Sequence, residues 1–181
     1  MKPCRIIFAG VIGLLSLTGF LVLGTIQAAE PDQKPYVGSG PFEQMKLLAG
    51  SWETTMDKGQ GPMKMKASYK LTAGGSAIVE TIFEGSPMEM VTVYYDNPKR
   101  KLNMTHYCML HNQPRMAMKS AKANELTFDL SKSGEINAAK DDHMHSLTIT
   151  FEGKDKMVQH WTRFQGGKKK DVSEIVFKRI G

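Results

Sequence analysis

Residues 105 to 116 bring His106, Tyr107, Cys108, His111, Asn112, Gln113 and Arg115 together, side chains that can ligate, hydrogen-bond or attack. The stretch reads as a strand, a turn and the start of the next strand. Side chains two apart in a strand share a face, so His106 and Cys108 project together with Leu102 and Met104 beside them. His143 and His145 repeat that spacing and run on into Leu147, Ile149 and Phe151. Polar groups set in an apolar face are what a small-molecule cavity presents. The candidate ligand-binding residues are therefore His106, Cys108, Gln113, Arg115, His143 and His145, with Arg115 able to clasp a carboxylate through two parallel hydrogen bonds.

The same side chains support two other chemistries. Imidazole and thiolate are good zinc and copper ligands, so His106, Cys108, His143 and His145 form a candidate metal set if their strands neighbour one another. The pairs Met63 and Met65, Met88 and Met90, and Met116 and Met118 each put two thioethers on one strand face. Such sulfur suits Cu(I), although methionine is equally a filler of apolar cavities. The other chemistry is nucleophilic catalysis by Cys108. His106 would lie roughly 6–7 Å along the same strand, too far to take the thiol proton, so the base would have to be a cross-strand His143 or His145. No nucleophile elbow, phosphate loop or dinucleotide fingerprint occurs, which weighs against an enzyme and names no cofactor. Glu80 and Glu84 share a strand face, and the pair reads as the solvated side of that strand.

What must position these groups follows from the rest of the chain. Lys2 and Arg5 precede an apolar run from Ile6 to about Val22 and small residues at Ala28 and Ala29, the plan of a secretory signal peptide over residues 1–28. The run is long enough to serve alternatively as an uncleaved membrane anchor. Cys4 precedes the run, out of place for a lipidated cysteine. The expected location is outside the cytoplasm, periplasmic or secreted. Cleavage leaves roughly 150 residues, enough for one domain with a real core. It also takes the formal charge from +6 to +4, because Lys2 and Arg5 go and no acid does. Lys99-Arg100-Lys101 and Lys168-Lys169-Lys170 sit at turns, and without interleaved exposed aromatics they do not indicate nucleic acid. Cys108 alone survives processing, so no internal disulfide supports the fold.

Residues 29–40, with Pro31, Pro35, Gly38 and Gly40, read as an extended leader, and 41–181 as the domain. Pro41, Phe42, Met45, Leu48 and Gly50 predict one or two turns of helix. After that come about ten strand segments: 51–56, 63–71, 76–84, 88–95, 101–110, 115–121, 125–130, 145–152, 157–165 and 170–180. Short Gly, Asn, Asp and Pro turns separate most of them, which makes antiparallel hairpins. A meander of that size exposes its edges unless it closes, so the expected fold is all-β, an up-and-down antiparallel barrel. Alternation turns Met65, Ala67, Tyr69 and Leu71 inward, likewise Leu102, Met104, His106 and Cys108, and likewise His145 with Leu147, Ile149 and Phe151. His160 and Trp161 point opposite ways, and the mixed pattern around them does not say which faces in.

Gly50-Ser51-Trp52 after a short helix resembles the opening of the calycin barrels, the lipocalins and fatty-acid-binding proteins. The resemblance implies that Trp52 packs near a basic residue from the end of the barrel, for which Arg179 is the match. Over Leu47 to Arg179 the chain is more closely similar to an uncharacterised family of small, exported, lipocalin-like bacterial proteins. The blocks that carry this are Gly74 to Thr81, Glu89 to Tyr94, Thr105 to Cys108 with Asn112 to Met116, and Lys140 to His145. This implies a fold and no reaction; the expected partner, a small apolar or amphipathic molecule, follows from the cavity residues above. Nitrobindin-like barrels, more distantly similar, hold haem iron through a His near their C-terminal end. The last strand here has none, and the nearest is His160.

Overall fold

The computed structural model describes residues 34–57, 59, 61–132 and 134–181. The signal-peptide segment and the first residues of the leader lie outside them. Among the described residues the chain runs through one α-helix, α1 (Gly40–Lys46), and ten strands. The first five are β1 (Gly50–Asp57), β2 (Pro62–Thr72), β3 (Ala77–Glu84), β4 (Met90–Asp96) and β5 (Leu102–Tyr107). They continue with β6 (Arg115–Lys122), β7 (Glu125–Leu130), β8 (His143–Phe151), β9 (Lys156–Gln165) and β10 (Lys168–Arg179). Each strand pairs antiparallel with its neighbour in sequence, and β10 returns to β1, so the sheet is a closed barrel. Closure gives every strand two partners and leaves no open edge. Gly166 and Gly167 (φ 57° and 74°) form the two-residue β9–β10 hairpin, where both positions need the left-handed region.

The ten expected strands are all present, with two shifts at the ends that matter. The regular part of β5 stops at Tyr107, and Cys108 continues it as a single bridge to Asn112. β8 starts at His143, two residues before the expected start. His145 is there the extra residue of a bulge, because Met144 opposes Arg163 while Ser146 opposes Thr162. A second bulge, where β3 opposes Lys66 and Ala67, makes Phe83 the extra residue at φ 59° and turns its ring inward beside Ile82.

One end of the barrel is sealed. Ser39 caps α1 by accepting from the Phe42 N–H at 3.3 Å, and Asp96 accepts from both the Ser39 hydroxyl (2.8 Å) and its N–H (2.6 Å). This fixes α1 so that Phe42, Met45 and Leu48 are buried against the core. Arg100 donates to the carbonyls of Val37 and Gly38, holding the described part of the leader down. At the same end the Arg179 guanidinium lies over the Trp52 ring at 4.2 Å and donates to the carbonyls of Leu47 and Ala49, each at 2.7 Å. This is the pair implied by the Gly-x-Trp resemblance.

Gly50 explains the glycine of that signature. Its φ is 127°, and a side-chain carbon there would come within 2.5 Å of the Gly181 carbonyl oxygen and 2.8 Å of the Arg179 guanidinium. Gly50→Ala is expected to cost about 2–4 kcal/mol through backbone strain and overlap. Gly40→Ala, where no heavy atom lies within 4 Å, is the control, expected to stay within about 0.5 kcal/mol of wild type. Urea unfolding of the two variants measures both.

Candidate functional site

Inside the barrel the apolar faces enclose a polar network. Ile78, Glu80 and Ile82 share the inward face of β3, and Glu80 has no exposed surface. The Tyr69 hydroxyl donates to Glu80 Oε1 at 2.6 Å and the Tyr94 hydroxyl to Oε2 at 2.8 Å. Gln159 Nε2 adds donation to Oε1 at 2.5 Å and to the Tyr69 oxygen at 2.7 Å, while Trp161 Nε1 donates to Gln159 Oε1 at 2.8 Å. These donors suit a carboxylate, which only accepts, and they replace the water it has lost. Burial and the Glu80 charge raise both tyrosine pKa values well above 10, so both phenols keep their protons. The expectation that Glu80 lies on a solvated strand face is therefore overturned. Its parity with Ile78 and Ile82 was the signal that could have placed it inside.

Above this network, toward the end opposite α1, the barrel opens into a cavity of about 270 Å³ walled chiefly by Phe83, Met90, Met144, Trp161 and Ile175. His106 and Cys108 both reach it. His106 is buried, its ring packs against Trp161 at a tilt of 38° with centroids 4.5 Å apart, and its Nδ1 lies 2.9 Å from the Thr92 hydroxyl. Its Nε2 has no partner among the described residues. Asn112 Oδ1 is the only fully buried, unpartnered side-chain N or O atom described, so Nε2 keeps contact with open space. At the rim, Arg163 pairs in bidentate fashion with Asp142, holding that carboxyl below its usual range. The mixed pattern in β9 is resolved: Trp161 and Arg163 face the cavity, and His160 points outward to Glu174 at 2.9 Å.

The six sequence-predicted residues divide among three places. His106 and Cys108 share the cavity, as alternation along β5 implies. Gln113 and Arg115 line a separate groove of about 470 Å³ outside the barrel, with Tyr107, Asn112, Glu135 and Asp141. His143 and His145 point away from the cavity, which corrects the inward reading of His145. His143 is in register with Phe164, the neighbour of cavity-facing Arg163, and His145 stacks on that Phe164 ring at 3.8 Å. The bulge at His145 is the reason, since an extra residue reverses the alternation counted back from Leu147. Both nitrogens of His143 are engaged, Nδ1 with the Asp141 carbonyl (2.8 Å) and Nε2 with His145 Nδ1 (3.0 Å).

With the two histidine pairs on opposite faces of the wall, the four metal candidates do not converge, and no group of three or more His, Cys, Asp or Glu among the described residues is placed to hold a metal. Among the described residues no hydrogen bond joins His143 or His145 to Cys108. Burial raises the Cys108 thiol, which keeps it protonated and weakly nucleophilic. The cavity combines apolar walls, one buried imidazole and a rim guanidinium already paired with a carboxylate. The roles of Tyr69, Tyr94, Gln159 and Arg163 were not foreseen, because each depends on a partner from another strand or loop. No family model matches the chain, and no curated protein is significantly similar to it.

Burial pushes the His106 pKa from its ordinary 6.5 down to about 4. Between those values the unfolded chain binds a proton that the folded protein does not, so stability falls as pH drops through the window. The loss by pH 4 is on the order of 3 kcal/mol. His145, also lowered by burial, adds with the same sign. Urea unfolding from pH 7 to pH 4 is expected to show a shallower decline in His106→Gln than in wild type; equal declines would mean that His106 is not the buried neutral group described.

Proposed function

We propose that this chain is an exported barrel of the lipocalin-like kind that reversibly binds a small, at least partly apolar molecule at its open end. The observation that supports this reading most is the cavity itself, an apolar space reached by the unpartnered nitrogen of an otherwise buried histidine. Unpartnered polar groups in apolar surroundings are costly, and a ligand that completes the hydrogen bond recovers that cost. A volume of about 270 Å³ falls just under the roughly 300–1,000 Å³ of typical ligand sites, which favours a small molecule.

In this reading His106 and Cys108 contact the ligand, with Trp161, Phe83, Met90 and Met144 as the apolar walls. Gln113 and Arg115 belong to the outer groove, whose exposed polar side chains are already solvated and gain less from being covered. The signal-peptide plan of residues 1–28 supports a periplasmic or secreted location. The calycin-like barrel, the Gly-x-Trp opening and the Trp52–Arg179 pair support the lipocalin-like kinship.

Native mass spectrometry of the full chain, purified without added ligand, is expected to show a copurifying organic mass released on denaturation. Adding that compound back at 100 times its Kd is expected to stabilise the protein by about 2.7 kcal/mol. Met144→Trp, which fills the mouth, is expected to abolish both effects while the barrel still unfolds cooperatively. A compound bound equally well by Met144→Trp would place the site elsewhere, the outer groove first.

A further inference from the structure

The wall that carries His106 also concentrates sulfur. β4 and β5 pair with Val91 opposite Tyr107 and Thr92 opposite His106, so the next inward positions, Met90 and Cys108, face each other across the same two strands. Directly opposed side chains on one sheet face stand about 5 Å apart at Cβ. His106 is two residues from Cys108 on that face, and all three side chains reach the cavity. Met144 reaches it from β8, and Met56 and Met109 also line it. An imidazole, a thiol and a thioether are thus neighbours in one patch, with further thioethers around the same small space. The imidazole is already set as a ligand would be. It is 2% exposed, Trp161 packs against its ring, and the Thr92 hydroxyl holds Nδ1 at 2.9 Å, which leaves Nε2 for the cavity. Metal-bound histidines are oriented in this way, by a partner on the nitrogen that does not bind.

We propose that His106 Nε2, Cys108 Sγ and Met90 Sδ form a binding site for a soft monovalent metal ion, Cu(I), with Met144 as a further thioether from across the barrel. The donor set selects the ion. Zinc in closed sites takes four nitrogen, thiolate or carboxylate donors, and no group of even three such side chains converges among the described residues. Calcium and magnesium require oxygen ligands. Thiolate and thioether sulfur favour Cu(I). On binding, the ion takes the place of the thiol proton, which passes to solvent, so thiolate and metal cancel in charge and nothing is oxidised or reduced. Apolar walls tolerate that neutral pair, whereas a net charge among them would be costly. The site goes beyond the organic ligand proposed above and does not depend on it, although both use the same cavity.

Methionine is also an adaptable filler of apolar cores. Met104, Met116 and Met157 have that role here, buried and opposed across their strands by Tyr94, Leu130 and Phe177. Met90 differs from them in each respect: it is only partly buried, it faces open space, and its cross-strand neighbour is the cysteine.

Anaerobic titration with Cu(I), in competition with a chromophoric Cu(I) chelator, tests this on the full chain carrying Cys4→Ser, in which Cys108 is the only thiol. The expected result is one Cu(I) withdrawn from the chelator per chain, with an ultraviolet thiolate-to-copper band. His106→Gln, Cys108→Ser and Met90→Leu are each expected to weaken binding by about tenfold or more, since losing even a partner outside a metal's own ligands costs that much. Met45→Leu, at the sealed end, is expected to bind as its parent does. Zn(II), titrated against a chelator of its own, is expected not to bind stoichiometrically. If His106→Gln or Cys108→Ser does not fold, Met90→Leu, which nearly conserves volume, carries the comparison. No withdrawal of Cu(I), binding unchanged in Met90→Leu, or Zn(II) held through the same residues overturns the proposal. Failure of Cu(I) to bind leaves the organic-ligand reading in place, because the copurifying mass tests that separately.

Discussion

A carboxylate buried inside a closed barrel is the constraint around which this interior is arranged. Taking an ionised group out of water is prohibitively costly unless it is well hydrogen-bonded. Glu80 meets that condition only because closure brings distant strands to it. Tyr69 and Tyr94 come from the strands on either side, β2 and β4. Gln159 comes from β9, four places round the ring from β3. The network therefore spans the barrel, and any change in shear or closure would leave a buried carboxyl group short of hydrogen-bond partners. Single buried polar groups left unpaired cost about 1–3 kcal/mol, a large share of the 5–15 kcal/mol by which domains are stable.

The network also divides the interior into levels with different work. At one end α1, the Trp52–Arg179 pair and the Asp96 anchor close the barrel with apolar side chains. The middle is occupied by Glu80 and its donors. At the far end no described element covers the barrel in the way α1 does, and two of the sheet's bulges shape the mouth. Phe83 is turned into the cavity by one, and the other keeps Met144 on the cavity side while sending the His143–His145 pair outside. Bulges often re-aim side chains in this way, and here they decide which polar residues a ligand could meet.

Much of this was legible in the sequence. Period-two alternation and Gly, Pro, Asn and Asp turns located all ten strands, and Pro41 with Phe42, Met45 and Leu48 located the helix. Alternation along β5 placed His106 and Cys108 correctly on the inner wall. What failed to show has one physical source: features fixed by partners far away in the chain. The bulge at His145 is a matter of pairing with β9, so counting back from Leu147 put that residue on the wrong face. Glu80 looked like half of a solvated charge pair because its donors are 11, 14 and 79 residues away. Which of His160 and Trp161 faces inward was ambiguous until Trp161 was found packed against His106.

Ligand binding by this barrel requires a small molecule to enter the mouth cavity and stop at the network. Methionine methyl NMR measures this directly, because Met90 and Met144 line the mouth whereas Met45 and Met104 are fully buried in the core. With ¹³C-methyl methionine in the full chain and phenol as the probe, the Met90 and Met144 methyls are expected to shift saturably while those of Met45 and Met104 stay in place. No response at Met90 and Met144, or one confined to methionines away from the mouth, would contradict it.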